Sequence, residues 1–508
     1  VGRTSLNVAA NFFGRVVGTV VSAAVIPLYL ERMGREAFGL VGLFVSLQVI
    51  QTVLDVGLSL ELSRRSARLL ADPEANAAEL GDVVKTFALV FTAIAACVLV
   101  ACVLLAPLVA TSWVRTETLT SADVEQAFVV IGAYLALQWP VSMLSGLLAS
   151  AERQGIQNAI STTIVLCRAG LTLAVLSWVE ASPRAFAGAQ VIAALAHLAA
   201  LVVVVGRLLP RSPRASRFRA DILRASGAAN LATMALTLLQ IAISQTDRLV
   251  LSRTTELSHF GIYALAASLA ANLHVFISPV YAAYFPRFCR SVEGAPEETS
   301  RLLLEGARAM AWVALPPSIT LALFAHEALW AWTGDPEIAA TAAPMLRALA
   351  LGYGVAALHH VPQAVQYASG WLRPQIVVTA LAALGGVAWF TLGGERLGLD
   401  QLAWGWFGMN TLILVGAAPL AVRQFAPQAG LRWAREGLVP VVMILAAVAI
   451  ARVTLEGGDR TSSALVVVVG AVASLVGATA ALTTSSAGRA MLAAGLAAGL
   501  ARLRRGRR

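Results

Sequence analysis

RMGREAFGLVGLFVSL at residues 32–47 and TTELSHFGIYALAASL at residues 254–269 are two copies of one pattern. Phe38-Gly39 falls on Phe260-Gly261, and Ser46-Leu47 on Ser268-Leu269, at a constant offset of 222 residues. At the same offset Pro140 meets Pro362, within PVSMLSGLLASAERQG and PQAVQYASGWLRPQ. One offset shared by separate places marks an internal repeat, and repeated halves related by an axis along the membrane normal are a sequence mark of secondary transporters.

The surrounding composition supplies the membrane. The chain has 508 residues, of which 58% are hydrophobic and only 13% charged, about half the charged share of an ordinary soluble domain. Runs of roughly 18 or more apolar residues, enough to cross a hydrocarbon core about 30 Å thick, recur along it. Reading them against their polar breaks gives about fourteen candidate helices, near 8–30, 39–62, 84–110, 125–148, 158–179, 185–206, 228–251, 259–284, 304–327, 341–366, 375–394, 401–422, 437–454 and 463–484. Breaks such as Gly334-Asp335-Pro336 carry turn chemistry. The expected fold is an all-α polytopic membrane protein of about 14 transmembrane helices. Two six-helix lobes, residues 1–206 and 226–424, are related by a pseudo-twofold axis along the membrane normal. A basic cytoplasmic linker at 207–225 joins them, helices 13 and 14 are appended at 425–484, and a basic tail covers 485–508.

The net charge of +10 would suggest nucleic acid in a soluble protein. With a cytoplasmic N-terminus, however, about 26 of the 38 basic residues fall on the inner side and about 10 on the outer, leaving Arg15 and Arg168 within helices. That satisfies the positive-inside rule for an even number of spans with both termini in the cytoplasm. The charge then faces anionic lipid heads, and no nucleic-acid partner is expected. Cys97, Cys102, Cys167 and Cys289 show neither CxxC spacing nor a paired framework, so free thiols and no metal are expected. The N-terminus lacks the cleavage pattern of a removable signal, and no G-x-x-x-x-G-K-[ST] segment offers an ATP site.

Polar residues inside the spans are spaced as stripes. Helix 1 aligns Asn11, Arg15, Thr19 and Ser22; helix 2 aligns Gln48, Thr52, Asp55, Ser59 and Ser63, with Gln51 alongside; helix 7 aligns Thr233, Thr237, Gln240 and Ser244, followed by Asp247 and Arg248. The offset places His274 of helix 8 on Thr52. Serine and threonine alone fit packing seams in which they bond their own helix carbonyls. A carboxylate or guanidinium at mid-bilayer costs roughly 2.5–3.5 kcal/mol, so Arg15, Asp55 and Arg168 point instead to a hydrated cavity, with Asp55 as counter-ion to Arg15. Arg168 lies near the middle of helix 5, where snorkelling to the head groups is harder. Interfacial pairing suits Asp247 and Arg248 as well as ligand contact does. The doublet His359-His360, with Gln363 and Gln366 following, fits packing better than metal binding.

The early Asn11 and Arg15, RMGREAFGL, VLDVGLSLELSRR at residues 53–65, and the run QTDRLVLSRTTELSHFGIYALAASLAANLHVFISPVYAAYFPRF resemble the Wzx-type polysaccharide flippases of the multidrug/oligosaccharidyl-lipid/polysaccharide exporter superfamily. The resemblance runs from about residue 5 to 425. It implies an alternating-access flippase, not an enzyme and without cofactor, in the bacterial inner membrane. Such a protein moves a polyprenyl-diphosphate-linked oligosaccharide to the outer leaflet for O-antigen, capsule or exopolysaccharide synthesis, with polysaccharide-assembly proteins as candidate partners. It also implies that Arg15, Arg168 and Arg248 meet the diphosphate, that Asn11, Gln48, Gln51, Gln240 and His274 meet sugars, and that Asp55 serves coupling. Rivals are a peptidoglycan-precursor flippase, a drug/cation antiporter, which Arg15 in helix 1 disfavours, and a membrane polymerase or ligase, which the short outer loops disfavour.

Overall fold

The computed structural model describes residues 2–70, 72–151, 153–208, 214–222, 231–394, 396–454, 459–484 and 488–489. Side chains are described from residue 17 onward, except at 19, 53, 56, 57, 60, 73–75, 154, 231–237 and 454. Among these residues every regular element is helical, apart from one isolated parallel bridge between Arg115 and Glu256. A lipid interior gives backbone groups no water to bond, and helices satisfy them within one segment.

By packing, the chain divides into two compact units, Val1–Ala264 and Leu265–Arg508. The first holds α1 (Gly2–Leu69), α2 (Pro73–Leu108, continued by a π-helical turn, Val109–Trp113), α3 (Ser121–Ser150), α4 (Gln154–Trp178), α5 (Pro183–Leu208), α6 (Leu231–Thr254) and the start of α7 (Leu257–Ala271). The second holds the rest of α7, then α8 (His274–Ser291), α9 (Pro296–Leu323), α10 (Ala325–Thr333), α11 (Pro336–Ser369), α12 (Arg373–Gly393), the single turn α13 (Leu399–Leu402), α14 (Trp404–Phe425), α15 (Gly430–Thr454) and α16 (Arg460–Thr483). This packing division falls inside α7, because α6 and the first turns of α7 pack against α1.

Eleven helices among the described residues are long and apolar enough to cross a membrane, or twelve if α9 and α10, bent by 82°, count as one span. Each of the fourteen apolar runs overlaps a helix, but helices are not separated in the expected way. Runs 8–30 and 39–62 are two helices joined directly, without a loop, at a kink where Gly34 takes a φ of 81° and a ψ of 169° that suit only glycine. The helix pair appended in the sequence is built into the second unit. α15 and α16 pack on α9, with Arg308 Nε 2.8 Å from Glu436 Oε2 and the Thr320 hydroxyl donating to Ser474 Oγ at 2.8 Å.

The most apolar helix lies outermost. The span that begins with α2, residues 76–113, has a mean hydropathy of 2.9 with 6% of its most apolar window buried, whereas α11 has 1.3 with 61% buried. Lipid is as apolar as leucine, so no hydrophobic force drives such helices together, and the interior collects small and polar residues that allow close approach.

A close backbone approach joins the two copies of the repeat. A Cβ on Gly39 would lie 2.3 Å from the Leu257 carbonyl oxygen, and one on Gly261 would lie 2.3 Å from the Arg35 carbonyl oxygen. Residues 257 and 261 are the 222-residue counterparts of 35 and 39, so the two contacts are copies of one another. Gly42 completes the set, since a Cβ there would lie 2.5 Å from the Cβ of Ala264, its own counterpart. This crossing has local twofold character, and backbone fills the space a side chain would need.

The linker is also anchored. Buried Asp82 on α2 accepts from Arg214 Nη2 at 2.6 Å and from the Arg217 amide at 2.7 Å, while Lys85 Nζ donates to the Ser216 carbonyl at 2.8 Å and the Arg219 amide to Thr86 Oγ1 at 3.0 Å. The Arg219 guanidinium, bonded to both Asp221 oxygens, holds that carboxyl below the usual carboxylate range.

Gly39→Ala and Gly261→Ala should each cost about 1–3 kcal/mol through overpacking, measured as lowered thermal stability in detergent. Gly170→Ala, where a Cβ meets nothing within 4 Å, should cost nothing. Asp82→Ala should speed tryptic cleavage after Arg214 and Arg217 several-fold at unchanged helix content, as the freed backbone can adopt the extended form a protease needs; equal cleavage rates would show that the anchor is dispensable.

Candidate functional site

The helix 2 stripe faces α3 as a seam. Gln48 Nε2 donates to Tyr134 Oη at 2.8 Å, Ser59 Oγ lies 3.0 Å from Ser142 Oγ, and Ser63 Oγ donates to the Gly146 carbonyl at 3.0 Å. The paired positions differ by 83 to 87 residues throughout, a near-constant offset that marks two helices running parallel. Asp55 sits within this seam, 5% exposed, accepting from Ser59 Oγ at 3.0 Å and from the Ser142 hydroxyl. Two hydroxyls supply what a buried carboxylate needs. Thr52 is exposed and bonds its own helix at the Gln48 carbonyl, 2.8 Å away. Gln51, beside the stripe, is buried.

Arg168 stands in the middle of α4. Its Nη1 lies 3.4 Å from Tyr134 Oη, so the phenol gathers Gln48 and Arg168 into one cluster. Further along α4, Thr172 donates to the Arg168 carbonyl at 2.8 Å and accepts from Gln190 Nε2 of α5 at 3.0 Å, which fixes this wall. Among the described residues Arg168 makes no ion pair, and it is only partly buried. A half-covered guanidinium with one neutral partner retains donors for an anion.

Asn11 and Arg15 lie outside the described side chains, so the pairing of Asp55 with Arg15 is not among the contacts described. Gln240 is partly buried on α6. Asp247 and Arg248 are both buried, at 4% and 9% exposure; Asp247 Oδ2 accepts from Tyr263 Oη at 2.6 Å while its Oδ1 has no partner. In the second unit His274 is accessible, 6.0 Å edge-on from the ring of His360, which stacks on His359. Asn410 donates through Nδ2 to the Trp406 carbonyl at 2.8 Å, so its Oδ1 is free to accept from His359 Nε2 at 3.4 Å. That leaves His359 Nδ1 and, seven residues along the same face of α11, both amide atoms of Gln366 buried without partners.

The structure therefore brings Gln48 and Arg168 together, and places Asp55 in the adjoining seam. Sequence reasoning missed Tyr134 and Ser142, which organise both groups. Ser142 lies two residues after the repeated Pro140, which is a usable signal, whereas nothing in the periodicity of an apolar helix singles out Tyr134.

Tyr134→Phe removes the hydroxyl that Gln48 and Arg168 share. It should lower stability by about 1–3 kcal/mol, read as thermal unfolding in detergent, and Phe87→Tyr in the same unit should not compensate.

The sequence model of the polysaccharide biosynthesis protein family matches residues 6–292. A search of curated proteins by sequence finds no match. Among solved structures, the lipid II flippase MurJ in an inward closed conformation aligns over 93% of this chain and 98% of its own, at 11% identity and a TM-score of 0.66. An inward-facing multidrug resistance MATE family transporter of the MOP superfamily aligns over 80% and 95%, at 13% identity and 0.61. A mutant of the Vibrio cholerae MATE transporter VcmN aligns over 84% and 98%, at 16% identity and 0.57. At these identities the likeness is one of fold, and it is the fold of multi-pass membrane transporters. With more than half of its length matched, the chain belongs to the polysaccharide biosynthesis protein family.

Proposed function

We propose that this protein is an alternating-access flippase that carries a polyprenyl-diphosphate-linked oligosaccharide from the cytoplasmic to the outer leaflet, for O-antigen, capsule or exopolysaccharide synthesis. The observation that carries the proposal is Arg168, a guanidinium midway along an apolar span whose one described partner is a phenol. A cation in that position is costly unless an anion joins it, and a diphosphate offers oxygens that match the guanidinium fork. Gln48, already gathered at Tyr134, and Gln51 offer amides to sugars, while Asp55 anchors the wall behind them. Arg15, Arg248, Asn11, Gln240 and His274 remain proposed contacts. The polyprenyl tail needs no pocket if it stays in lipid.

Both termini are proposed to lie in the cytoplasm of a bacterial inner membrane, with lobes at 1–206 and 226–424 joined by the basic linker. Transport of this kind requires no covalent chemistry from the protein. A peptidoglycan-precursor flippase is the second reading, favoured by the MurJ alignment over 93% of the chain, and its cargo would share the diphosphate and the need for Arg168.

Purified protein in liposomes should exchange polyprenyl-diphosphate oligosaccharides between leaflets. Arg168→Ala should lose about 1.5–3 kcal/mol of charge-assisted bonding, roughly a 10–100-fold weaker dependence on donor concentration. Donors with O-antigen-like sugars and with a peptidoglycan-like headgroup separate the two readings by relative rate. No exchange with any such donor, together with transport of organic cations, would sink both.

A further inference from the structure

Near the crossing of the two repeat copies, the first unit has an open cavity of about 570 Å³ lined by residues 33–37, 117–119, 256, 258 and 259. In a chain of net charge +10 its lining carries three carboxylates, Glu36, Glu117 and Glu256, against one arginine, Arg35. Glu36 is already committed. Buried beneath the loop, it accepts the amides of Glu117 at 2.7 Å and Thr118 at 2.9 Å and the Thr118 hydroxyl, and so fixes the loop backbone.

The other two carboxylates face outward and converge with an imidazole. Oxygens of Glu117 and Glu256 and a ring nitrogen of His259 all lie within 4.8 Å of one another. Three features place them there: the Leu257 amide donates to the Arg115 carbonyl at 2.9 Å, Arg115 and Glu256 form the isolated bridge, and Ser258 Oγ donates to Glu117 Oε1 at 2.6 Å. His259 Nδ1 is 3.1 Å from Glu256 Oε2. One cation placed among these three donor atoms would be bonded by all of them at once. A metal with bonds of about 2.0–2.2 Å to nitrogen and oxygen needs its donors about 4.4 Å apart at most, a small rotamer adjustment for exposed side chains.

We infer that Glu117, Glu256 and His259 form a binding site for a divalent transition-metal ion of the zinc class, which clamps the loop at 115–120 to the start of α7. The imidazole selects such ions over magnesium, which demands oxygen ligands in near-ideal octahedral geometry. The three ligands come from segments about 140 residues apart, so no local spacing pattern announces them. Water completes the coordination from the open side of the cavity.

The test uses the tag-free full chain in detergent, stripped with chelator, and zinc alone titrated against a zinc-reporting dye. One zinc per chain is expected, with binding weakened roughly 10–100-fold in Glu117→Gln and in His259→Asn; Glu297→Gln, at an exposed acid elsewhere, keeps wild-type affinity. Zinc should also slow tryptic cleavage after Arg115 in the wild type and not in the Glu117→Gln/His259→Asn double variant, whose unfolding temperature without zinc confirms that it is folded. Absence of binding, binding that the double variant retains, or equal displacement by magnesium overturns the site. Stoichiometric binding with unchanged cleavage overturns the clamp.

Discussion

The crossing at Gly39 and Gly261 is the contact that constrains the first unit. With 2.3 Å between a hypothetical Cβ and the facing carbonyl on each side, the two backbones are closer than any side chain permits. Their separation and register are set by main-chain geometry, not by the fit of flexible side chains. Gly34 contributes from a few residues away, turning α1 so that its second half meets α7 at that place. Because each contact is the repeat copy of the other, a single change of backbone path in the repeated motif would alter both sides at once. A pattern of this kind is kept together or lost together, and it explains why the motif is recognisable at its glycines while most of its other positions differ.

Besides this crossing the first unit has an apolar cluster that includes Leu62, Phe87, Phe91 and Trp139, and polar contacts close the seam next to it. Between α1 and α3 the Gln48, Asp55, Ser59 and Ser63 side chains bond in register with Tyr134, Ser142 and Gly146. Within a membrane such bonds are worth about 0.6 kcal/mol on average, so several in a row are needed to fix one pair of helices. The carboxylate of Asp55 raises the stakes at its position. If either serine were lost, an acceptor would stay buried without a donor, and that penalty exceeds the worth of the bond itself.

Much of this was legible in the sequence because membrane and repeat both leave regular marks. Apolar runs located the helices, and the offset of 222 identified Gly39 and Gly261 as equivalents before any contact between them was visible. The stripe of Gln48, Asp55 and Ser59 was legible as one face of a helix; what it faces was not, since periodicity gives a direction and no neighbour. Tyr134 is hidden for the same reason. An aromatic in an apolar helix looks like core until the hydroxyls, amides and guanidinium around it are placed in space. The abrupt junction within α1 was illegible because the polar break at residues 31–38 reads as a loop, whereas one glycine with positive φ turns the first helix directly into the second. Glu117, Glu256 and His259 were beyond reach because each is unremarkable in its own segment.

Polar residues in a bilayer can be ranked by the hydrogen-bonding capacity that the fold leaves over. Asp55 has both oxygens engaged, and a filled carboxylate is a structural part. Arg168 has five N–H donors and one phenol as described partner, so most of its capacity is available to water or to an anion. Asp247 Oδ1, His359 Nδ1 and both amide atoms of Gln366 are buried with none, and each costs about 1–3 kcal/mol in that condition. A purely structural core would lose stability from such groups without return, since apolar residues of similar size would fill the space better. Their retention is reasonable where water or cargo supplies the missing partners for part of a transport cycle. By this criterion Asp55, the most conspicuous polar residue of the helix 2 stripe, has no capacity left over. Arg168 on α4 and, in the second unit, His359 and Gln366 on α11 are where hydrogen-bonding capacity is left over.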